Sequence, residues 1–275
     1  MRTFPGFALA VFTAALLAGC EATVPPPPPA PSAPQAVRPS RLPWEAAVGE
    51  LDIGRPDYHC SAVLVARNMI VTASHCLTVA GQNARPLIFS PGHGALALPT
   101  STGVALKWGA QVSSGNIDKA DVPVDWAVLQ ISPPDGTIQP LPVASLSLDQ
   151  MEAKIAAGAQ VVAAGYGGSD TLNERAACHL FSQQELGLYP DDSWLQLDCL
   201  IQNGDSGGGI VLLDGGQPWL IGIIAGRGRN PREIGKTMGL AVNARNFAPY
   251  VGIPVSVLTP GKPGSVIQVS ALPAN

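Results

Sequence analysis

Two short segments of this chain hold residues that can do covalent chemistry together. One is Gly204-Asp205-Ser206-Gly207-Gly208, and the other, far upstream, is Thr72-Ala73-Ser74-His75-Cys76. Glycines on both sides of Ser206 permit a sharp turn that pushes a hydroxyl into the open. A histidine fixed beside a cysteine is an imidazole held in place. A serine hydroxyl is a weak nucleophile until a neighbouring base takes its proton, so the pair supplies what serine-based acyl transfer requires. A carboxylate completes the set if it accepts the second imidazole N–H, selects the tautomer and stabilises the imidazolium. Asp125 has that setting, in Val124-Asp125-Trp126-Ala127-Val128-Leu129, an acid at the mouth of an apolar strand. Asp118, Asp121 and Asp135 are local acids without such a strand directly behind them.

Each segment alone is ambiguous. Glycine-flanked serines are common in tight turns, and Gly-x-Ser-x-Gly also describes the nucleophile elbow of α/β-hydrolases, whose histidine follows the serine. Here His59, His75, His93 and His179 all precede Ser206, which excludes the α/β-hydrolase order.

The elements that must position these residues read as short strands. Apolar runs bounded by turn residues recur at 46–53, 61–66, 69–72, 104–108, 127–131, 161–166, 209–213, 219–224 and 237–242. Helical periodicity is modest and confined to 148–157 and 243–250. With 30 Gly, 27 Pro and only 13% charged residues in 275, the composition points to an all-β domain rich in turns, a barrel or sandwich. A net charge of −4 without a basic cluster argues against nucleic acid as a partner, and no metal or other cofactor is expected.

The N-terminus reads as a targeting segment over residues 1–19, with Arg2 before an apolar stretch of signal-peptide length from Phe4 to Ala18. It ends in Leu17-Ala18-Gly19-Cys20, which resembles a bacterial lipobox and implies a lipidated Cys20, the palmitate-type anchor of an envelope lipoprotein. Residues 20–41 are a Pro-rich tether, with Pro25 to Pro29 consecutive, expected to be extended and to bury little. Setting Cys20 aside leaves Cys60, Cys76, Cys178 and Cys199. Of their three possible pairings, sequence proximity favours Cys60–Cys76 and Cys178–Cys199, each worth about 3 kcal/mol, in an oxidising compartment.

Thr-Ala-Ser-His-Cys, Asp-Trp-Ala-Val-Leu and Gly-Asp-Ser-Gly-Gly, in that order, resemble the chymotrypsin/trypsin family of serine endopeptidases, and more narrowly its bacterial exported branch. The resemblance runs from about Trp44 to Tyr250. It implies two perpendicular six-stranded β-barrels with the active site in the cleft between them. The peptidase domain would span 42–254, with barrel 1 over about 42–135, barrel 2 over about 136–254, and 255–275 an unassigned tail. The crossing would fall near 133–145, where Pro133, Pro134, Pro140 and Pro142 cluster. The implied roles are His75, Asp125 and Ser206 as a triad, with the backbone N–H groups of Gly204 and Ser206 as oxyanion donors.

Several positions depart from the family pattern. The stretch upstream of Pro43-Trp44 that would carry an activating N-terminus is the Pro-rich tether, so Asp205 is expected to pair with an internal cation or hydrogen-bond donors, without cleavage-dependent activation. Cys199 lies further from the nucleophile than is usual. Ala225 stands where a serine often supports the aspartate, which weakens that support. Gly209 replaces a proline. Leu200 would floor an apolar specificity pocket, unless Asp198 swings in, and Arg227 would stand near its entrance, so a non-tryptic preference is expected.

The reading is therefore a serine endopeptidase acting on polypeptides, held at a bacterial membrane by its lipid only, on the periplasmic face or cell surface. A catalytically inactive binding module and an exported esterase using the same triad are the alternatives.

Overall fold

All nine short apolar runs become antiparallel strands, and burial on both faces explains why so few alternate cleanly. The computed structural model describes residues 42 to 251 apart from short stretches, the longest at 93–100, 113–119 and 230–236. The signal segment, Cys20, the Pro-rich tether and the 255–275 tail lie outside the described residues.

The first half contains β1 (Val48–Asp52), β2 (His59–Ala66), β3 (Met69–Thr72), the short helix α1 (Ser74–Ala80), β4 (Leu87–Pro91), β5 (Ser101–Trp108) and β6 (Ala127–Ile131). These strands close into a barrel in the order β1-β2-β3-β6-β5-β4. The second half contains α2 (Leu148–Ala156), β7 (Gln160–Gly165), β8 (Asn173–Arg175), β9 (Trp194–Leu197), β10 (Gly209–Asp214), β11 (Gln217–Arg229) and β12 (Thr237–Asn243). Its sheet runs β8-β7-β10-β11-β12-β9. Residues 178–181 draw the two ends of that sheet together. The Cys178 N–H donates to the Val161 carbonyl at 2.9 Å, the Phe181 N–H to the Gln196 carbonyl at 2.9 Å, and Leu180 bridges Leu197. The expected all-β, two-barrel fold is the one observed.

The chain crosses between the halves through an extended segment. The Leu141 N–H donates to the Leu64 carbonyl on β2, while Pro142 and Ala144 exchange hydrogen bonds with Leu220 on β11.

Strands of the second sheet are covered on both faces. Val161 and Ala163 of β7, with Ile210 and Leu212 of β10, join α2 residues Leu148 and Met151 in one core. The intervening Val162, Ala164 and Val211 join the core that includes the first barrel. Runs such as Val161-Val162-Ala163-Ala164 are continuous because neither face meets water. The α2 helix starts with a capping box, in which Ser147 Oγ accepts the Gln150 N–H and Gln150 Oε1 accepts the Ser147 N–H.

Three strands escaped the sequence reading: β4, β8 and β9. The 243–250 segment is two 3₁₀ turns, Ala244–Asn246 and Ala248–Tyr250, rather than an α-helix. Pro249 cannot donate the N–H that a continuous helix would need there. Among the described residues, no helix is long and apolar enough to cross a membrane.

Candidate active site

Neighbouring strands bring His75 and Asp125 together. β3 and β6 are antiparallel, with Thr72 opposite Ala127. His75 lies three residues beyond the end of β3 and Asp125 two before the start of β6, so both emerge at the same rim of the barrel. β3 ends at Thr72, and His75 sits in the first turn of α1. The Cys60–Cys76 disulfide ties that turn to β2. Asp125 is held by its flanks: the Gly109 N–H donates to the Trp126 carbonyl and the Ala110 N–H to the Val124 carbonyl, each at 2.9 Å. Gly109 has to be glycine, since a Cβ there would lie about 2.5 Å from the Trp126 indole nitrogen.

The contact itself is short and buried. His75 Nδ1 lies 2.7 Å from Asp125 Oδ2, with the two side chains 3% and 0% exposed. Asp125 Oδ1 accepts the His75 backbone N–H at 2.9 Å and the Ser74 hydroxyl at 3.0 Å. A carboxylate offers only acceptors, so Nδ1 carries the proton and Nε2 is left as the basic nitrogen.

Ser206 comes from the other half of the chain, in the connection between β9 and β10. Its segment is fastened on both sides. Toward the second sheet, the Gly207 N–H donates to the Ile224 carbonyl at 2.7 Å, and the Ile224 N–H to the Gly208 carbonyl at 2.8 Å. Toward the first barrel, the Ser206 carbonyl accepts the Ser61 N–H at 2.7 Å. The same carbonyl lies 3.9 Å from Cys76 Sγ, one residue from His75. Gly207 has φ +83°, and a Cβ there would collide with the Ser61 carbonyl and the Thr72 hydroxyl. Only glycine lets the two halves close at this point.

The turn's N–H groups divide into two sets. Those of Asp205, Gly207 and Gly208 donate to the carbonyls of Gln202, Ile224 and Asp205. Among the described residues, none accepts from the N–H of Gly204, whose φ is +96°, or of Ser206. Asp205 is fully buried, with Oδ1 accepting the Gly167 N–H at 2.8 Å and Oδ2 the Gln202 N–H at 2.7 Å. Gly165 and Gly167 leave room for that carboxylate; a Cβ on Gly167 would sit 2.6 Å from Oδ1.

Two residues that the sequence reading did not single out belong to this constellation. One is Ser74, the hydroxyl donor to Asp125. The other is Ser61, whose hydroxyl accepts the Tyr166 N–H and donates to the Gly204 carbonyl, both at 2.8 Å. The Ser74 signal was on view as the residue beside the histidine. Ser61 follows Cys60 in an apolar strand and carries no local motif.

The specificity assignment needs correction. Leu200 is 57% exposed, and a side chain that open to water is not a pocket floor. Cys199 is pinned inward by its bridge to Cys178, so Leu200 turns out and Ile201, 2% exposed, turns in against Gly239. Asp198 does not swing in either: it is exposed and accepts the His179 N–H at 2.7 Å. Ala225 is buried and Arg227 exposed, the latter paired with Gly239 across β11 and β12. Both expected disulfides are present. The Cys60 and Cys76 sulfurs lie close to His75, but as a disulfide they offer no thiolate to a metal.

The trypsin family model matches residues 35–251, most of the chain. The chain belongs to the trypsin family. Its two-barrel architecture is that of a trypsin-like serine protease, a family that acts on polypeptides. The histidine-bearing turn and the serine-bearing turn both lie within the matched region.

Proposed function

We propose that this member of the trypsin family is an active serine endopeptidase with Ser206 as nucleophile, His75 as general base and acid, and Asp125 as the group that orients and supports the imidazole. The 2.7 Å contact between His75 Nδ1 and Asp125 Oδ2, sealed from water, carries this reading. A binding module has no use for a buried imidazole–carboxylate pair beside a glycine-framed serine.

In the proposed reaction, Ser206 Oγ attacks the scissile carbonyl carbon while His75 Nε2 takes its proton. The carbonyl π electrons move to oxygen, and the oxyanion is received by the N–H groups of Gly204 and Ser206. Removing one such donor typically costs about 3 kcal/mol of transition-state stabilisation. Collapse breaks the C–N bond, His75 returns the proton to the departing amine, and an acyl ester stays on Ser206. Water then enters, loses a proton to Nε2 and releases the acid, and the hydroxyl is restored. The Nδ1 proton stays between His75 and Asp125 throughout.

The site works without a cleaved N-terminus. The backbone donors on Asp205 support this, since Gly167 and Gln202 already hold both carboxylate oxygens. Activity that appears only after cleavage near Arg41 would contradict it. Residues 1–19 direct export, Cys20 is lipidated, and the Pro-rich tether carries the domain away from the membrane of a bacterial envelope, on its periplasmic face or at the cell surface. Metabolic labelling with a palmitate analogue, lost in Cys20→Ala, tests the anchor.

A fluorophosphonate probe tests the central assignment. Labelling abolished by Ser206→Ala is expected, and its absence in the parent protein would indicate an inactive binding module. Turnover of peptides in a cleavage library, and not of simple esters alone, separates an endopeptidase from an esterase. A cleavage profile dominated by Arg and Lys would contradict the non-tryptic preference.

A further inference from the structure

Ser61 lies on β2, in the first barrel, yet its N–H and its hydroxyl both donate to the serine-bearing turn. Its N–H donates to the Ser206 carbonyl at 2.7 Å. Its hydroxyl donates to the Gly204 carbonyl and accepts the Tyr166 N–H. Its own carbonyl accepts the Thr72 hydroxyl at 2.7 Å, three residues before His75. The residue is completely buried, so none of these bonds is exchanged with water.

Two of the four bonds fall on the carbonyls of Gly204 and Ser206, the residues whose N–H groups are the proposed donors. A peptide plane is rigid, and the torsions at Gly204 are what let its N–H and carbonyl point independently. Gly204, at φ +96°, is in a region where glycine has several neighbouring conformations of similar energy. The Ser61 hydroxyl fixes the carbonyl side of Gly204, and the Ser61 N–H fixes the carbonyl of Ser206. We propose that Ser61 is a positioning residue: its hydroxyl anchors the Gly204 carbonyl and so restrains the torsions through which the Gly204 N–H could turn away from the developing oxyanion. The inference rests on the reading of Ser206 as nucleophile and Gly204 as oxyanion donor.

Without the hydroxyl, the Gly204 carbonyl loses its buried donor and the Tyr166 N–H its acceptor. Both then gain by moving toward other partners, and Gly204 has the torsional freedom to do so. The loss should therefore fall on stabilisation of the tetrahedral intermediate and spare binding of the peptide itself. The Thr72 bond to the Ser61 carbonyl ties this same residue to the strand that leads to His75.

The test compares the exported full-length protein with Ser61→Ala and Ser61→Thr. Three quantities are read: kcat/KM on a peptide substrate, affinity for a peptide boronate that forms a tetrahedral adduct, and affinity for the same peptide as an unreactive amide. Ser61→Ala is expected to lose roughly ten- to hundredfold in kcat/KM, with an equal loss of boronate affinity and little change for the amide. Ser61→Thr, which keeps the hydroxyl, should recover most of both. Equal losses for boronate and amide would mean a merely structural role and overturn the proposal, as would an unchanged kcat/KM. If Ser61→Ala does not fold, a crystal structure of the parent boronate adduct decides. The Gly204 carbonyl must still sit on Ser61 Oγ while the Gly204 N–H holds the boronate oxygen; a broken Ser61–Gly204 bond would overturn it. A parent protein that neither cleaves peptide nor binds boronate refutes the endopeptidase reading itself, and this inference with it.

Discussion

The Ser74 hydroxyl donates to Asp125 Oδ1 at 3.0 Å, so one buried carboxylate is held by three groups from two consecutive residues. The side chain of Ala225, where a supporting hydroxyl was expected to be missing, ends in a methyl and is buried. The hydroxyl comes instead from the residue beside the histidine. With Ser74 Oγ and the His75 N–H both on Oδ1, Oδ2 is left to face Nδ1.

Removing that hydroxyl should loosen the carboxylate without removing it. Ser74→Ala is expected to lower kcat/KM about tenfold, in line with one hydrogen bond to a charged group, and Ser74→Thr to retain most activity. Asp125→Asn should be far worse, at about 10⁴-fold in kcat, because an amide donor facing Nδ1 enforces the wrong tautomer. Steady-state kinetics on one peptide substrate, with active enzyme counted by a fluorophosphonate, checks both.

Gly207 packs against the first barrel, beside the Ser61 carbonyl and the Thr72 hydroxyl. Gly207→Ala combines a strained left-handed backbone with a methyl group driven into the Ser61 carbonyl and the Thr72 hydroxyl. The expected destabilisation is about 2–4 kcal/mol, with loss of activity because the turn must retreat from Ser61. Thermal unfolding of Gly207→Ala against the parent measures this; an unchanged midpoint would show that the turn has slack.

Glu185 gives the second barrel a pH dependence. Its carboxylate is held below the usual carboxylate range, first by the Ser182 backbone N–H, with burial opposing and then His179 and the Ser182 hydroxyl adding to the effect. A depressed folded-state value stabilises the protein above the unfolded value, near 4.3, and the contribution fades as pH falls through the folded one. The site is one-third exposed, so the effect is small. Unfolding midpoints of the parent and Glu185→Ala should differ at neutral pH and converge in acid; a constant gap would contradict the assignment.

How far the sequence foretold all this depended on which residues carry local signals. β3 and β6 were legible because Met69-Ile70-Val71-Thr72 and Ala127-Val128-Leu129-Gln130-Ile131 are apolar runs with clear ends. The His75, Asp125 and Ser206 segments stood out because each chemical residue sits in a distinctive local frame. β9 did not, since Trp194-Leu195-Gln196-Leu197 is short and its glutamine is buried against expectation. Leu200 was misjudged because its place in the sequence does not show how the Cys178–Cys199 bridge sets which side chains face in. Ser61 was invisible because its importance lies in partners more than a hundred residues away, which no local spacing encodes.

The most direct measurement is intact-mass and peptide-mapping analysis of the enzyme quenched within milliseconds of mixing with an activated peptide ester. The account predicts an acyl group of the substrate's mass on Ser206, absent in Ser206→Ala and formed far more slowly in His75→Ala. Peptide cleavage that persists in Ser206→Ala, or an acyl group on any other residue, would contradict it.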